Sequence, residues 1–455
     1  MQSIESIVST YQDRYISDLC EILKIPSVST DSEFAPEVNR CAEFLAHHMQ
    51  TIGLEHVQVL PTKGYPVVYG DYLHQPGKPT ILIYGHYDVQ PADPLHLWHS
   101  PPFEPTIKDG QIYARGVSDD KGQFYCHLKA VESYIRAGLE VPVNVKFLIE
   151  GEEENGSPSL ASFIMANQAL LKADGLLISD NTMFDADTPS VCYSLRGLCY
   201  MEVIVKGSNT DLHSGQHGGP APNPIQALSA MITRLKNEKG RVLIPGFYDA
   251  VDPIPDPVRE QIRMLRFNDH QYAMELGVES LWGEEGFSPL EQRWFRPTLD
   301  CNGIVGGYIG QGSKTIIPAE ARAKISMRLV SRQDPDQIFE LAMAYLTQIK
   351  PSGVTLDFIR HHGGKPVLCN LDASIMKAGI RAVKTVTGKT PVFQGEGGSI
   401  PIVDELKKSL GVECLLLGFN LPDDKVHAPN ERFGIINYIQ GIKISAQFLA
   451  EYANI

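Results

Sequence analysis

The sequence predicts an α/β protein, a mixed and mostly parallel sheet flanked by helices, interrupted by an inserted α+β sandwich domain. Three observations point there. Short apolar runs at 67–73, 80–84, 143–149 and 175–178 alternate with helical patterns at 123–136 and 160–171, the order of a sheet covered by helices. Near Leu198 the texture changes to strand, helix and strand patterns around a proline-rich stretch. The 455 residues also exceed what one ordinary core organises, so two domains, or one with a large insertion, are expected.

Taken in order, Ile4, Ile7, Tyr11, Tyr15, Leu19, Ile22 and Leu23 recur every three or four residues, an amphipathic helix that Ile25-Pro26 brings to a close. A second helical pattern covers 37–52. The turn signal Lys108-Asp109-Gly110 precedes a short strand at 111–114, and Phe124, Leu128, Val131 and Ile135 give the helix at 123–136 its apolar stripe. Further on, 199–205 alternates as a strand, 224–237 is helical, and 244–257 is an irregular loop rich in proline. Strands at 321–329 and 354–359 bracket a helix at 335–346. The domain plan is 1–196, an insertion at 197–369, and a return to the first domain at 370–455. No internal repeat or low-complexity tract is present.

Net charge is -14 and the sequence pI about 5.5. Nucleic acid is excluded as a main partner, because phosphate binding needs a concentrated basic face. The amino terminus shows no basic region followed by an apolar core, and no run approaches the roughly 18 apolar residues of a membrane span. The eight cysteines are scattered without a CxxC pair. They read as buried thiols of a reducing compartment, with the cytoplasm expected.

The chemistry gathers at strand ends. The run 80–84 leads into Gly85-His86-Tyr87-Asp88, and 143–149 leads into Glu150-Gly151-Glu152-Glu153-Glu154, four carboxylates in five residues. The run 175–178 ends at Ser179-Asp180, and ARGVSDDKG at 114–122 places Asp119 and Asp120 between a strand end and a helix. Asp119 is therefore expected at the carboxyl end of the same sheet, where open α/β folds keep their ligands. So many carboxylates at one rim repel one another unless a cation offsets them. Asp, Glu and His without cysteine suit a hard or borderline divalent ion with open positions, and two ions sharing a carboxylate fit equally. Singly, His86 reads as a core histidine and 150–154 as a solvated acidic turn; four such strand ends together favour a metal centre. Ser118, Cys126 and Cys192 stand in no GxSxG turn, which makes covalent catalysis the weaker reading.

GHYDVQPAD at 85–93, PPFEP and IYARGVSDDKGQ between Trp98 and Gln123, EGEEENGS at 150–157, LHSG at 212–215, GEGGSIP at 395–401 and HAPNE at 427–431 resemble the motifs of the dinuclear zinc exopeptidases. That family includes carnosinase, cytosolic nonspecific dipeptidase, acetylornithine deacetylase and succinyl-diaminopimelate desuccinylase, and the resemblance runs in order along essentially the whole chain. IPGFYDAV at 244–251 and SKTIIP at 313–318 resemble its dipeptidase branch.

The resemblance implies a catalytic domain with an inserted lid and dimerisation domain, and two zinc ions per subunit, with manganese or cobalt also suited to the ligands. One metal would be held by His86, Asp119 and Asp180, the other by Asp119, Glu154 and His427, Asp119 bridging. Asp88 matches the acid that orients His86, and Glu153 the general base. His213 matches a histidine that the partner subunit brings to the oxyanion, and Thr315 a second contact from the partner. Arg328 matches the arginine that takes the substrate carboxylate, with Gly398 and Ser399 beside it as backbone and hydroxyl donors. Gly395 departs from the family form, which often has an arginine there. Small peptides are the implied substrates, cleaved in a homodimer. An N-acyl amino acid deacylase with the same ligands, or an inactive peptide-binding protein, remain the alternatives.

Overall fold

A computed structural model describes residues 4–265, 267–330, 332–398 and 401–454. The packing divides them into two compact units, one of 1–193, 369–394 and 402–455, the other of 194–368 and 395–401. The second unit thus takes in 395–401, a segment the sequence plan gives to the first.

In the first unit a mixed sheet runs in the order Glu55–Leu60, Val67–Tyr72, Asn144–Glu150, Thr80–His86, Gly175–Ile178, Cys414–Leu416, then the strand begun at Ser190. The four strands from Asn144–Glu150 to Cys414–Leu416 pair in parallel, and the pairs that flank them in this order are antiparallel. The central strands are apolar and buried along most of their length, as expected where helices cover both faces. The helix Lys121–Arg136 packs against Ile4–Leu23 and Ile435–Tyr452. It is buried from Lys121 to Tyr134, so its polar residues need internal partners. Lys129 Nζ has three, donating to Asp18 Oδ2 at 2.6 Å and Glu132 Oε2 at 2.7 Å and lying 2.8 Å from His48 Nε2.

The second unit is a four-stranded antiparallel sheet in the order Thr298–Gly306, Glu320–Leu329, Gly197–Lys206, Thr355–Gly364. Alternation along the strands sends Met201, Val203, Ala323, Ile325 and Met327 into a core with Leu228 and Met231 of the helix Pro224–Ile232, and Ile338, Ala342 and Leu346 of the helix Pro335–Ile349. The expected helix at 224–237 stops at Ile232. A turn at Asn237 takes over, with Asn237 Oδ1 accepting from Lys239 N and Arg241 N, and Lys236 bridging Val242. The helices Asp256–Met264, Asp269–Leu276 and Pro289–Phe295 follow the proline-rich loop. Among the described residues, no helix is long and apolar enough to cross a membrane.

All eight cysteines are unbridged. Cys301 is exposed and Cys20 half-buried, against the expectation of burial, and the other six are buried.

Candidate metal centre

Parallel register brings three strand ends of the first unit to one rim. His86 stands opposite Glu150, and Tyr84 opposite Ile178, so Asp180, two residues further on, is level with His86. Glycine at position 85 makes room for the helix behind: a Cβ there would lie 2.7 Å from Phe124 Cβ and 2.8 Å from Asp120 Oδ2.

Asp119 reaches the rim by another route, which corrects the expectation from sequence. The strand before it, Gln111–Tyr113, pairs with Thr106–Lys108 and Arg432–Gly434 in a separate antiparallel sheet. Asp119 lies in the turn 115–120 that leads into the helix Lys121–Arg136. Glu431 organises that turn. Its fully buried carboxylate accepts from Arg115 Nη1 at 2.7 Å, Gly116 N at 3.0 Å, Ser118 N at 2.9 Å and Asp119 N at 3.2 Å. Gly122 completes it, since a Cβ there would come 2.0 Å from the Val117 carbonyl oxygen. Glu431→Gln leaves the buried Arg115 without a full countercharge. The expected result is a loss of about 3 kcal/mol or more in stability and metal affinity weakened about 10- to 100-fold. Thermal melting and metal titration check both, and unchanged metal affinity would remove Glu431 from the support of Asp119.

At the rim, Asp119 stands between two groups. Its Oδ1 is 3.1 Å from His86 Nε2, which is 3.9 Å from Asp180 Oδ2. Its Oδ2 is 2.7 Å from His427 Nε2, which is 3.3 Å from Glu154 Oε2. His86, Asp119 and Asp180 form one cluster whose potential ligand atoms lie within 4.8 Å of one another, and Asp119, Glu154 and His427 form a second. His427 adopts a left-handed φ of 60°, a conformation non-glycine residues keep mainly where the surroundings require it.

Asp88 sits behind the rim. His86 Nδ1 lies 3.1 Å from the Asp88 carbonyl oxygen and 3.4 Å from its Oδ1, which directs Nε2 toward Asp119. The same carboxylate accepts from Ser29 Oγ at 2.6 Å, Glu153 N at 3.2 Å and Glu154 N at 3.1 Å. Asp88 therefore aligns the histidine and the Glu153–Asn155 turn together. Glu154 is further held by Gln90 Nε2, which donates to its Oε2 at 2.7 Å.

The electrostatics fit a cation. Among the described residues, Glu154 Oε1 is buried without a hydrogen-bond partner, although such atoms are normally satisfied. Burial raises Asp180, with Asp119 adding to the effect, and burial followed by Asp119 raises Glu154. Hydrogen bonds to Asp119 and Glu154 hold His427 at about 10. Burial also pushes Glu153 up to about 7, with His86 opposing and Glu154, Asp119 and Asp88 reinforcing the shift. Protons thus stand in for positive charge that oxygen and imidazole donors would take from divalent ions.

A third cluster, Asp18, His48 and Glu132, is equally close-set. The Lys129 ammonium already lies among all three, so it is an internal ion pair of the helices.

In the second unit, His213 pairs with Ile316 in a two-stranded ribbon. Its Nδ1 accepts from Gly215 N at 3.0 Å, leaving Nε2 as an exposed donor. Ser214 N donates to the Thr315 carbonyl oxygen at 3.0 Å, so Thr315, also exposed, is beside His213. Arg328 is half-buried on the face of its strand opposite the core residues Met327 and Leu329. Gly397 N and Gly398 N are directed at the unit's own Glu396 Oε1, at 2.7 and 3.4 Å, and Ser399 lies outside the described residues. Gly395 has no room for a side chain, with Trp294 Cβ 2.6 Å from where its Cβ would be.

The pattern of Peptidase family M20/M25/M40 matches residues 82–451, a span that contains both clusters and Glu153. The chain belongs to this peptidase family. It is 32% identical to the Cys-Gly metallodipeptidase dug1 of Schizosaccharomyces pombe over all of this chain and 99% of that protein. Identity to the Beta-Ala-His dipeptidase of Homo sapiens is 30%, over all of this chain and 93% of that protein. Among solved structures, the M20 family metallo-carboxypeptidase Sso-CP2 of Sulfolobus solfataricus gives a TM-score of 0.86 at 34% identity, over 97% of this chain and 99% of that one. As an M20 peptidase the chain is a hydrolase with two candidate metal clusters joined at one carboxylate. Sequence reasoning assigned no role to Glu431, Arg115, Ser29 or Gln90. Glu431, Arg115 and Gln90 stand inside the motifs HAPNE, ARGVSDDKG and GHYDVQPAD, whereas nothing local marks Ser29.

Proposed function

We propose that this M20 peptidase hydrolyses the peptide bond of dipeptides or very short peptides, with two zinc ions held by His86, Asp119, Asp180, Glu154 and His427. The observation that carries the reading is the sharing of Asp119 between two ligand clusters, with Glu153 next to them yet in neither. When bound, the metal pair acidifies a water and polarises the scissile carbonyl. Glu153 takes the proton of the attacking water on its carboxylate and passes it to the departing amine. Asp88 keeps His86 Nε2 turned to the rim. The donor set also accepts manganese or cobalt.

The first unit is read as the catalytic domain and the second as a lid through which two copies pair. Arg328 takes the substrate's free carboxylate, Gly398 and Ser399 are read as donors to the same group, and the partner subunit's His213 and Thr315 complete the site. Support comes from His213 and Thr315 standing exposed side by side, with Nε2 of His213 free to donate to a developing oxyanion. Mixing His213→Ala chains with Glu153→Ala chains is expected to restore part of the activity, because a hybrid dimer contains one complete site. No recovery despite proven subunit exchange would show that the site is not shared. A cytoplasmic setting is supported by the eight unbridged cysteines.

Two relatives named as dipeptidases favour unblocked dipeptides over N-acyl amino acids. Parallel assays of the two substrate classes separate these readings: turnover confined to the acyl compounds would overturn the dipeptidase assignment and leave the metal centre intact.

A further inference from the structure

Two buried thiols of the first unit meet away from the rim. Cys414 opens the strand Cys414–Leu416, and Cys369 stands where the chain re-enters the unit. Their Sγ atoms are 3.2 Å apart, with Cys369 3% and Cys414 1% exposed. Both are fixed by backbone pairing: Cys369 N donates to the Tyr193 carbonyl oxygen at 2.7 Å, and Cys414 is in parallel register with Leu176. Sulfurs already in contact on two anchored segments need only small side-chain rotations to bond.

We propose that Cys369 and Cys414 are a redox modification site that forms a reversible intramolecular disulfide when a hydroperoxide, such as hydrogen peroxide, reaches it. The thiolate is the reactive form, and of the two thiols Cys414 is the one shifted toward it. The Sγ–Sγ contact with Cys369 and the positive charge of Lys407 lower Cys414 against burial and Glu413, while the Cys369 thiol is raised by the same contact and by burial. Cys414 Sγ attacks one peroxide oxygen, the O–O bond breaks, and the other oxygen leaves as water once protonated, so Cys414 becomes a sulfenic acid. Cys369 Sγ then attacks Cys414 Sγ, giving up its proton. The S–S bond forms and the sulfenic oxygen departs as a second water. In sum, two thiols lose two electrons and two protons, and one hydrogen peroxide becomes two waters.

A crevice of about 770 Å³ is lined by Asn370 and Glu413, the chain neighbours of the two cysteines, together with Lys78, Asp174, Ser374 and Tyr452. Asp174 and Glu413 immediately precede the strands Gly175–Ile178 and Cys414–Leu416, so the crevice opens where these parallel strands begin. His86 and Asp180 lie where the strands end. A hydroperoxide entering from this side would approach the pair from the end of the sheet opposite the metal centre.

The test uses the full-length, metal-loaded protein carrying Cys301→Ser, which removes the exposed thiol. After hydrogen peroxide treatment, denaturing alkylation and peptide mapping, the expected product is a single 369–414 crosslink with two thiols lost to alkylation. Dithiothreitol should reverse it. Because the bond joins positions 45 residues apart, the oxidised form should also melt several degrees higher. Cys369→Ala should stop at a sulfenic acid on Cys414 that dimedone traps, and Cys414→Ser should abolish both crosslink and trapping. A crosslink to Cys192 instead, irreversible oxidation of Cys414 without a crosslink, or two intact thiols at peroxide levels that oxidise an exposed cysteine would each overturn the proposal.

Discussion

Glu153→Gln is expected to lower kcat about 100- to 10,000-fold, with both metals still bound and KM little changed. Glu153 belongs to neither ligand cluster, so its loss should leave the metal sites standing. Its backbone is tied to Asp88 Oδ1 at 3.2 Å, which keeps the residue after the substitution in the same turn. Burial holds the carboxyl at about 7, close to the pH at which a base must both accept and release a proton. Glutamine has the same size and cannot take that proton. The checks are steady-state kinetics on a dipeptide and metal content per chain. Full turnover by this variant would remove Glu153 from the mechanism.

Asp119→Asn should have a second large effect. The residue is the one member common to both clusters, its two oxygens 3.1 Å from His86 Nε2 and 2.7 Å from His427 Nε2. Asparagine offers one oxygen and no charge, so it cannot serve both sides. Bound metal should fall below two ions per chain, and kcat/KM by at least about 1,000-fold, equivalent to about 4 kcal/mol of transition-state stabilisation. Loss of activity with full occupancy would mean that Asp119 acts in the reaction without bridging the ions. The charge change also relieves repulsion with Asp180 and Glu154, so the variant should fold, and circular dichroism would verify it.

Much of the rim was legible in the sequence because its residues follow apolar strands directly. His86, Glu150 to Glu154 and Asp180 each continue a run whose length and composition mark a buried strand, and parallel register then sets them level. Asp119 was legible as a candidate ligand by motif and misplaced by local pattern. The strand before it reads like any other short strand, and its pairing with Arg432–Gly434 depends on residues more than three hundred positions away. The same distance hid Glu431 as the acceptor that shapes the Asp119 turn. In the second unit, Ser288 and Glu291 form a capping box around the start of Pro289–Phe295, a signal present in the sequence and reinforced by Pro289 at the first helical position. The helix at 224–237 was read too long because Thr233 to Lys236 continue the polar and apolar alternation, while the turn at Asn237 rests on side-chain acceptance by Asn237 Oδ1.

The most direct test of the shared metal centre is hydrolysis of unblocked dipeptides by the protein stripped of metal and reloaded with zinc or manganese. The account predicts no cleavage by the stripped protein, and cleavage that rises with metal and reaches its maximum at two ions per chain. Unchanged cleavage without metal, or none with both sites filled, would contradict it.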